Sequence, residues 1–272
     1  MDNSRIVGDP SGGSGLGDLA RNLQKDGAEL AISNLKLRAL PQAGYPESIT
    51  RIDASGNTLS ELPEALVDLV PNLAALDVSR NALSSLPADL GLCPSLATLS
   101  AERNQIGELS FLSFALPALQ HLVFDRNGLC ALPPALWMCP RLTHVSLCCN
   151  KLTANSIRMP VGGAAAPLEH LDLGENRLGA LPPLSQYPRL REVHVQQNGI
   201  RELPAAEFAP LSMLQTLDVS MNDVSQLPPQ LALLPVLQNL TIVGNPIRSI
   251  PQNVQQRGAT AVIDLLRKRL PA

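Results

Sequence analysis

An asparagine returns every 22 to 26 residues along most of the chain, at Asn57, Asn81, Asn104, Asn127, Asn150, Asn176, Asn198, Asn222 and Asn245. Each stands in one frame, as in LAALDVSRNALSSLP from Leu73, LQHLVFDRNGLCALP from Leu119 and LQTLDVSMNDVSQLP from Leu214. The frame is L-x-x-L-x-L-x-x-N-x-L-x-x-L-P. Its fourth and sixth positions (Leu76 and Val78, Leu122 and Phe124, Leu217 and Val219) alternate with polar ones, the pattern of a short strand with one apolar face. A unit this short cannot bury that face alone. Stacked units can, because each strand pairs with the next and the leucines of adjacent coils merge into one core.

The frame resembles the leucine-rich repeat. The resemblance implies an α/β leucine-rich repeat solenoid, a curved horseshoe of about ten repeats with a parallel concave sheet, a mostly irregular convex side and helical caps. Ten strands at about 4.8 Å make a sheet about 48 Å long. The asparagines are expected to form a ladder, since an amide can serve both the N–H and the C=O groups that the turning backbone buries. In the first turn, ELAISNLKLRALP, Leu35 takes the ladder position. An L-P step recurs at Pro41, Pro63, Pro87, Pro133, Pro182, Pro204, Pro228 and Pro251. Proline holds the chain extended and discourages long helices on the outer side.

Two turns depart from the frame. After Leu109 the chain reads SFLSFALP, so Phe111 and Phe114 must fill that turn differently. After Leu152 comes TANSIRMPVGGAAAP, which points to a surface loop at Asn155 to Ala166. At the ends, residues 1–15 read as a disordered tail and 16–29 as an N-terminal capping helix. The repeats then occupy 30–251, and 252–272 read as a C-terminal capping helix with Ala261, Val262, Leu265 and Leu266 on one face. A hydrophobic share of 45% with 3% aromatic fits a core of aliphatic side chains in a single elongated domain, expected to be monomeric.

No apolar run interrupts the charges of the first thirty residues, so neither a signal peptide nor a membrane span is expected. A net charge of -3 without a basic stripe argues against nucleic acid. The five cysteines lie inside the repeats; their odd number, with Cys148 beside Cys149, fits reduced thiols and a cytoplasmic protein.

The 23-residue L-P turns are similar to those of the intracellular, Ras-group class of leucine-rich repeat proteins. The back third, with Gly244 to Arg248 (GNPIR) and the terminal GATAVIDLLRKRLP, resembles the C-terminus of the leucine-rich repeat-containing protein 40 group. That resemblance implies a scaffold or regulator that binds another protein, and it names no catalytic residue and no cofactor.

Chemistry collects on the outward positions of the middle strands. His121, His144 and His170 follow one another at the third position. Val123, Ser146, Asp172 and His194 stand at the fifth, Asp125 and Cys148 at the seventh, and Arg80, Arg103 and Arg126 at the eighth. Three readings stay open: an ordinary solvated surface, a hot spot where arginine and imidazole on rigid strands engage a protein or acidic peptide, or a zinc or copper site built on the histidine column. A run of three imidazoles on neighbouring strands would have to lean across about 10 Å to share one ion. Trp137, the sole tryptophan, follows Leu136 where other turns carry Gly91 and Ala232; it is read either as a convex contact or as packing against the next turn. A Cys148–histidine pair on an open sheet lacks a third residue to orient a base, so catalysis is not expected.

Overall fold

The computed structural model describes residues 28–42, 44–159 and 165–270. Ten three-residue strands follow one another in a single parallel sheet whose order is the sequence order. They are β1 (Glu29–Ala31), β2 (Arg51–Asp53), β3 (Ala75–Asp77), β4 (Thr98–Ser100), β5 (His121–Val123), β6 (His144–Ser146), β7 (His170–Asp172), β8 (Glu192–His194), β9 (Thr216–Asp218) and β10 (Asn239–Thr241). Register is constant, so equivalent positions of successive repeats are direct neighbours: His121 faces His144, and His144 faces His170. The result is a curved leucine-rich repeat solenoid.

The inward positions behave as the alternation requires. Leu76, Val78, Leu122, Phe124, Leu217 and Val219 all lie in one continuous core. At the end of each strand the asparagine amide joins two coils. Asn150, for example, donates through Nδ2 to Phe124 O of the preceding repeat (2.9 Å) and Leu147 O of its own (3.0 Å), while its Oδ1 accepts from Leu129 N (3.0 Å). Asn57 does the same for the first repeat, accepting from Leu35 N at 2.9 Å and donating to Ile32 O at 2.8 Å. Leu35 therefore needs no amide of its own to have its N–H satisfied.

The convex side carries short pieces only, among them 3-10 turns at Ala88–Leu92, Pro134–Met138 and Pro229–Leu233 and a four-residue helix at Ala205–Phe208. In the altered turn after Leu109, Phe111 is buried against Phe124 with ring centroids 6.4 Å apart, whereas Phe114 is exposed. Gly91 lets that turn approach: a Cβ there would run into the carbonyl oxygen of Phe111.

The ends and the long turn differ from the sequence expectation in detail. The tail at 1–15 and most of the 16–29 helix lie outside the described residues, but Glu29, assigned to that helix, is already strand. The long turn is not simply a surface loop, since Ile157, Met159 and Ala166 are buried and Ile157 bridges to Leu132; its residues 160–164 lie outside the described set. At the C-terminus the single expected helix is two, Gln252–Gln255 and Ala259–Arg267, because Gly258 adopts φ +86° and breaks the run. The second helix packs against the Pro229–Leu233 turn and β10, burying Val262 and Leu266.

Candidate functional site

Four imidazoles form one row across β5 to β8. His121 and His144 lie 5.7 Å apart (ring centroids), His144 and His170 stack nearly parallel at 4.1 Å and 6°, and His170 and His194 lie 5.6 Å apart. His194 enters the row from the fifth position because Glu192 takes the third position of its strand. His170 Nδ1 is 3.0 Å from Glu192 Oε2, and His194 Nε2 is 3.9 Å from the same oxygen. Burial, reinforced by the neighbouring His170 and His121 rings, pushes the pKa of His144 down from the ordinary 6.5 to about 4, against the opposing pull of Glu192. At neutral pH His144, at the centre of the row, is therefore uncharged.

Arg80, Arg103 and Arg126 follow β3, β4 and β5, so their column meets the imidazole row at Arg126; all three are exposed and share an unforeseen backbone feature. Each has φ between 55° and 57°, the left-handed region that few side chains adopt. The same conformation recurs at Asn34, Gly56, Cys149, Glu175, Gln197, Met221 and Gly244. It turns the eighth N–H toward the next coil: Arg80 N donates to Glu102 O (2.7 Å), Arg103 N to Asp125 O (2.8 Å) and Arg126 N to Cys148 O (2.8 Å). Gly56, Gly244 and Asn34 were the available signal, since glycine and asparagine favour this region.

Several outward residues serve the backbone and have little to offer a partner. Asp172 Oδ1 accepts from Gly174 N at 2.8 Å, closing the turn after its strand, as Asp53, Asp77 and Asp218 do in theirs. The repeat carrying Ser146 has no aspartate at the fifth position. Asp125 of the preceding repeat reaches across in its place, accepting from Ser146 Oγ (2.7 Å) and Cys148 N (2.7 Å). Ser146 is buried, so its assignment to the binding surface is corrected. Burial raises the pKa of Asp125, although Ser146 and Cys148 N–H partly offset it. Val123 and Cys148 are half-buried between the two rows.

Trp137 is fully buried, so a convex contact through it is also corrected. The position after Leu136 faces the neighbouring coil, which is why Gly91 and the buried Ala232 occupy it elsewhere. Trp137 fills the wider gap left by the long turn: its carbonyl accepts from Ala166 N at 2.9 Å and its ring lies 6.2 Å from Tyr187.

Cys148 Sγ lies 3.4 Å from Cys149 Sγ, and the two thiols group with Glu175. Burial pushes both thiols up, and Asp172 and Asp125 beside Cys148 and Glu175 beside Cys149 add to it. An activated thiolate needs positive surroundings; here Arg126 beside Cys149 is outweighed by burial and the carboxylates. Two groups of potential metal ligands result among the described residues: Cys148, Cys149 and Glu175, and His170, Glu192 and His194. Glu192, Glu175 and Cys149 were not singled out as site residues in the sequence, because their convergence depends on strand register and rotamer.

No family model matches the chain. Podocan-like protein 1 of Mus musculus is 29% identical over 76% of this chain and 38% of its own length. A leucine-rich repeat protein of Leptospira interrogans superposes with TM-score 0.66 at 26% identity, covering 77% of this chain and 53% of that one. A chain in the structure of the Drosophila Toll–Spätzle complex gives TM-score 0.67 at 25% identity over 90% of this chain and 32% of that one. This chain thus spans less than two thirds of the length of each. Repeat frame, sheet and likenesses together define a leucine-rich repeat protein.

Proposed function

We propose that this protein binds another protein across its concave face and acts as a scaffold or adaptor. The observation that carries the reading is a rigid ten-stranded sheet on which a column of three exposed arginines, on the repeats of β3 to β5, leads into a row of four imidazoles on β5 to β8. Rigid strands present such side chains at small entropic cost, and arginine is over-represented where interfaces gain their energy. The chain of similar fold comes from the Toll–Spätzle complex, a protein–protein complex, which supports protein binding. The expected contact set is Arg80, Arg103, Arg126, His121, His144 and Val123, with His170 and His194 at its edge. A monomeric, cytoplasmic regulator of the intracellular repeat class remains our reading of the rest; the five unpaired cysteines support it.

The test is a pull-down from cell extract with the wild type and an Arg103→Glu, Arg126→Glu pair, followed by titration of the purified partner. Charge reversal at two exposed contacts should weaken binding by about tenfold or more. An unchanged set of partners and an unchanged Kd would place the interface elsewhere.

A further inference from the structure

We propose that His170, Glu192 and His194 form a binding site for one zinc-class divalent cation on the concave face. Backbone register creates the site: His170 of β7 is the direct neighbour of Glu192 of β8, and His194 follows Glu192 by two residues on the same face of the strand. One donor atom from each residue lies within 4.8 Å of the other two. The carboxylate oxygen is 3.0 Å from one imidazole nitrogen and 3.9 Å from the other. Bonds of about 2.0–2.2 Å in a tetrahedral site put neighbouring donors about 3.3 Å apart. Those two spacings bracket that value and the imidazole nitrogens lie within 4.8 Å of each other, so side-chain rotations without backbone movement would close the site around an ion.

Orientation is also favourable. An imidazole holds a metal in its ring plane, through a nitrogen at its edge. The flat stack with His144 covers a face of His170 and fixes that plane while leaving the edge toward Glu192. The carboxylate supplies the charge that a site of neutral imidazoles lacks. Two nitrogens and one oxygen suit zinc and its neighbours, whereas magnesium and calcium require mostly oxygen. Three protein ligands on side chains 23%, 48% and 26% exposed leave a further coordination position facing solvent. The ion would replace the hydrogen bond that joins His170 and Glu192. Within the histidine column itself, His144 and His170 present ring faces to each other, so they cannot hold one ion between them. The ligand that a histidine count misses is Glu192.

Zn²⁺ alone, added to the reduced, chelator-stripped full chain and followed by calorimetry, tests the site. One ion per chain is expected, weakened about tenfold or more by Glu192→Gln and by His194→Ala, and unchanged by the Cys148→Ser, Cys149→Ser pair. Thermal melts of the variants should match the wild type, since the side chains are part-exposed; Glu192→Gln, nearly isosteric, keeps the test sound if His194→Ala does not fold. Absence of saturable binding, binding retained in both ligand variants, or binding lost in the cysteine pair overturns the proposal. The partner pull-down is run in chelator, so either result stands without the other.

Discussion

Replacing Asn150 by alanine removes one rung of the amide ladder at the middle of the stack. Its Nδ2 bonds to Phe124 O and Leu147 O are not the chief loss, because both carbonyls keep a second amide: Asn127 donates to Phe124 O at 3.1 Å and Asn176 to Leu147 O at 2.9 Å. Among the described residues the N–H of Leu129 donates to Asn150 Oδ1 alone, and Leu129 is fully buried. One orphaned donor costs about 1–3 kcal/mol, and two further hydrogen bonds add about 1 kcal/mol each. The expected destabilisation is about 3–5 kcal/mol, read from the midpoint of urea unfolding. Trp137, the sole tryptophan, sits in the adjoining turn and reports the transition by fluorescence. Asn150→Asp separates the terms: it keeps an acceptor for Leu129 N but sets a carboxylate against the two carbonyls, so it should be no more stable than the alanine variant at pH 7. An alanine variant within about 1 kcal/mol of wild type would refute the ladder as a stabilising device.

Asp125→Asn should be at least as stable as wild type at pH 7, because the amide oxygen can still accept from Ser146 and Cys148 while the ionised, half-buried carboxylate is gone. The folded-state pKa is raised from 3.8, so what Asp125 contributes is fully present below 3.8 and lost as the pH rises through the raised value. Unfolding at pH 7 and at pH 3.5 should therefore show the asparagine variant losing ground in acid; a variant less stable at pH 7 by more than about 1 kcal/mol contradicts the reasoning. Trp137→Ala should cost about 3–5 kcal/mol by circular dichroism melts, as for a fully buried aromatic; a change below about 0.5 kcal/mol would mean a surface position.

The strand alternation at Leu76 and Val78 or Leu122 and Phe124 made the fold legible, since a period of two with a fixed repeat admits one way of burying the leucines. The ladder followed from the same frame. The direction of Trp137 did not, because the convex turns share no strict period; only the small residues Gly91 and Ala232 at the same position betray a neighbour close by. The roles of Ser146 and Asp125 were hidden for another reason. An outward strand position is polar whether it serves solvent or the backbone, and the missing fifth-position aspartate becomes meaningful only when strand register brings Asp125 alongside. The break at Gly258 was masked by the apolar spacing that continues beyond it.

The eighth column shows where the fold stops constraining the sequence. Its left-handed backbone disfavours a side chain with a Cβ by about 1–2 kcal/mol relative to glycine, and glycine stands there at Gly56 and Gly244. Yet the same conformation carries arginine three times in succession, and also cysteine, glutamate, glutamine and methionine. The hydrogen bond made there uses the N–H of the backbone, so stacking is indifferent to what the side chain is. Three consecutive arginines, the last on the repeat where the four imidazoles begin, are thus not chosen by the core, the ladder or the turn. A composition that the fold leaves free, with a cationic column ending where the imidazole row begins, is the part of the surface on which the proposed partner contact rests.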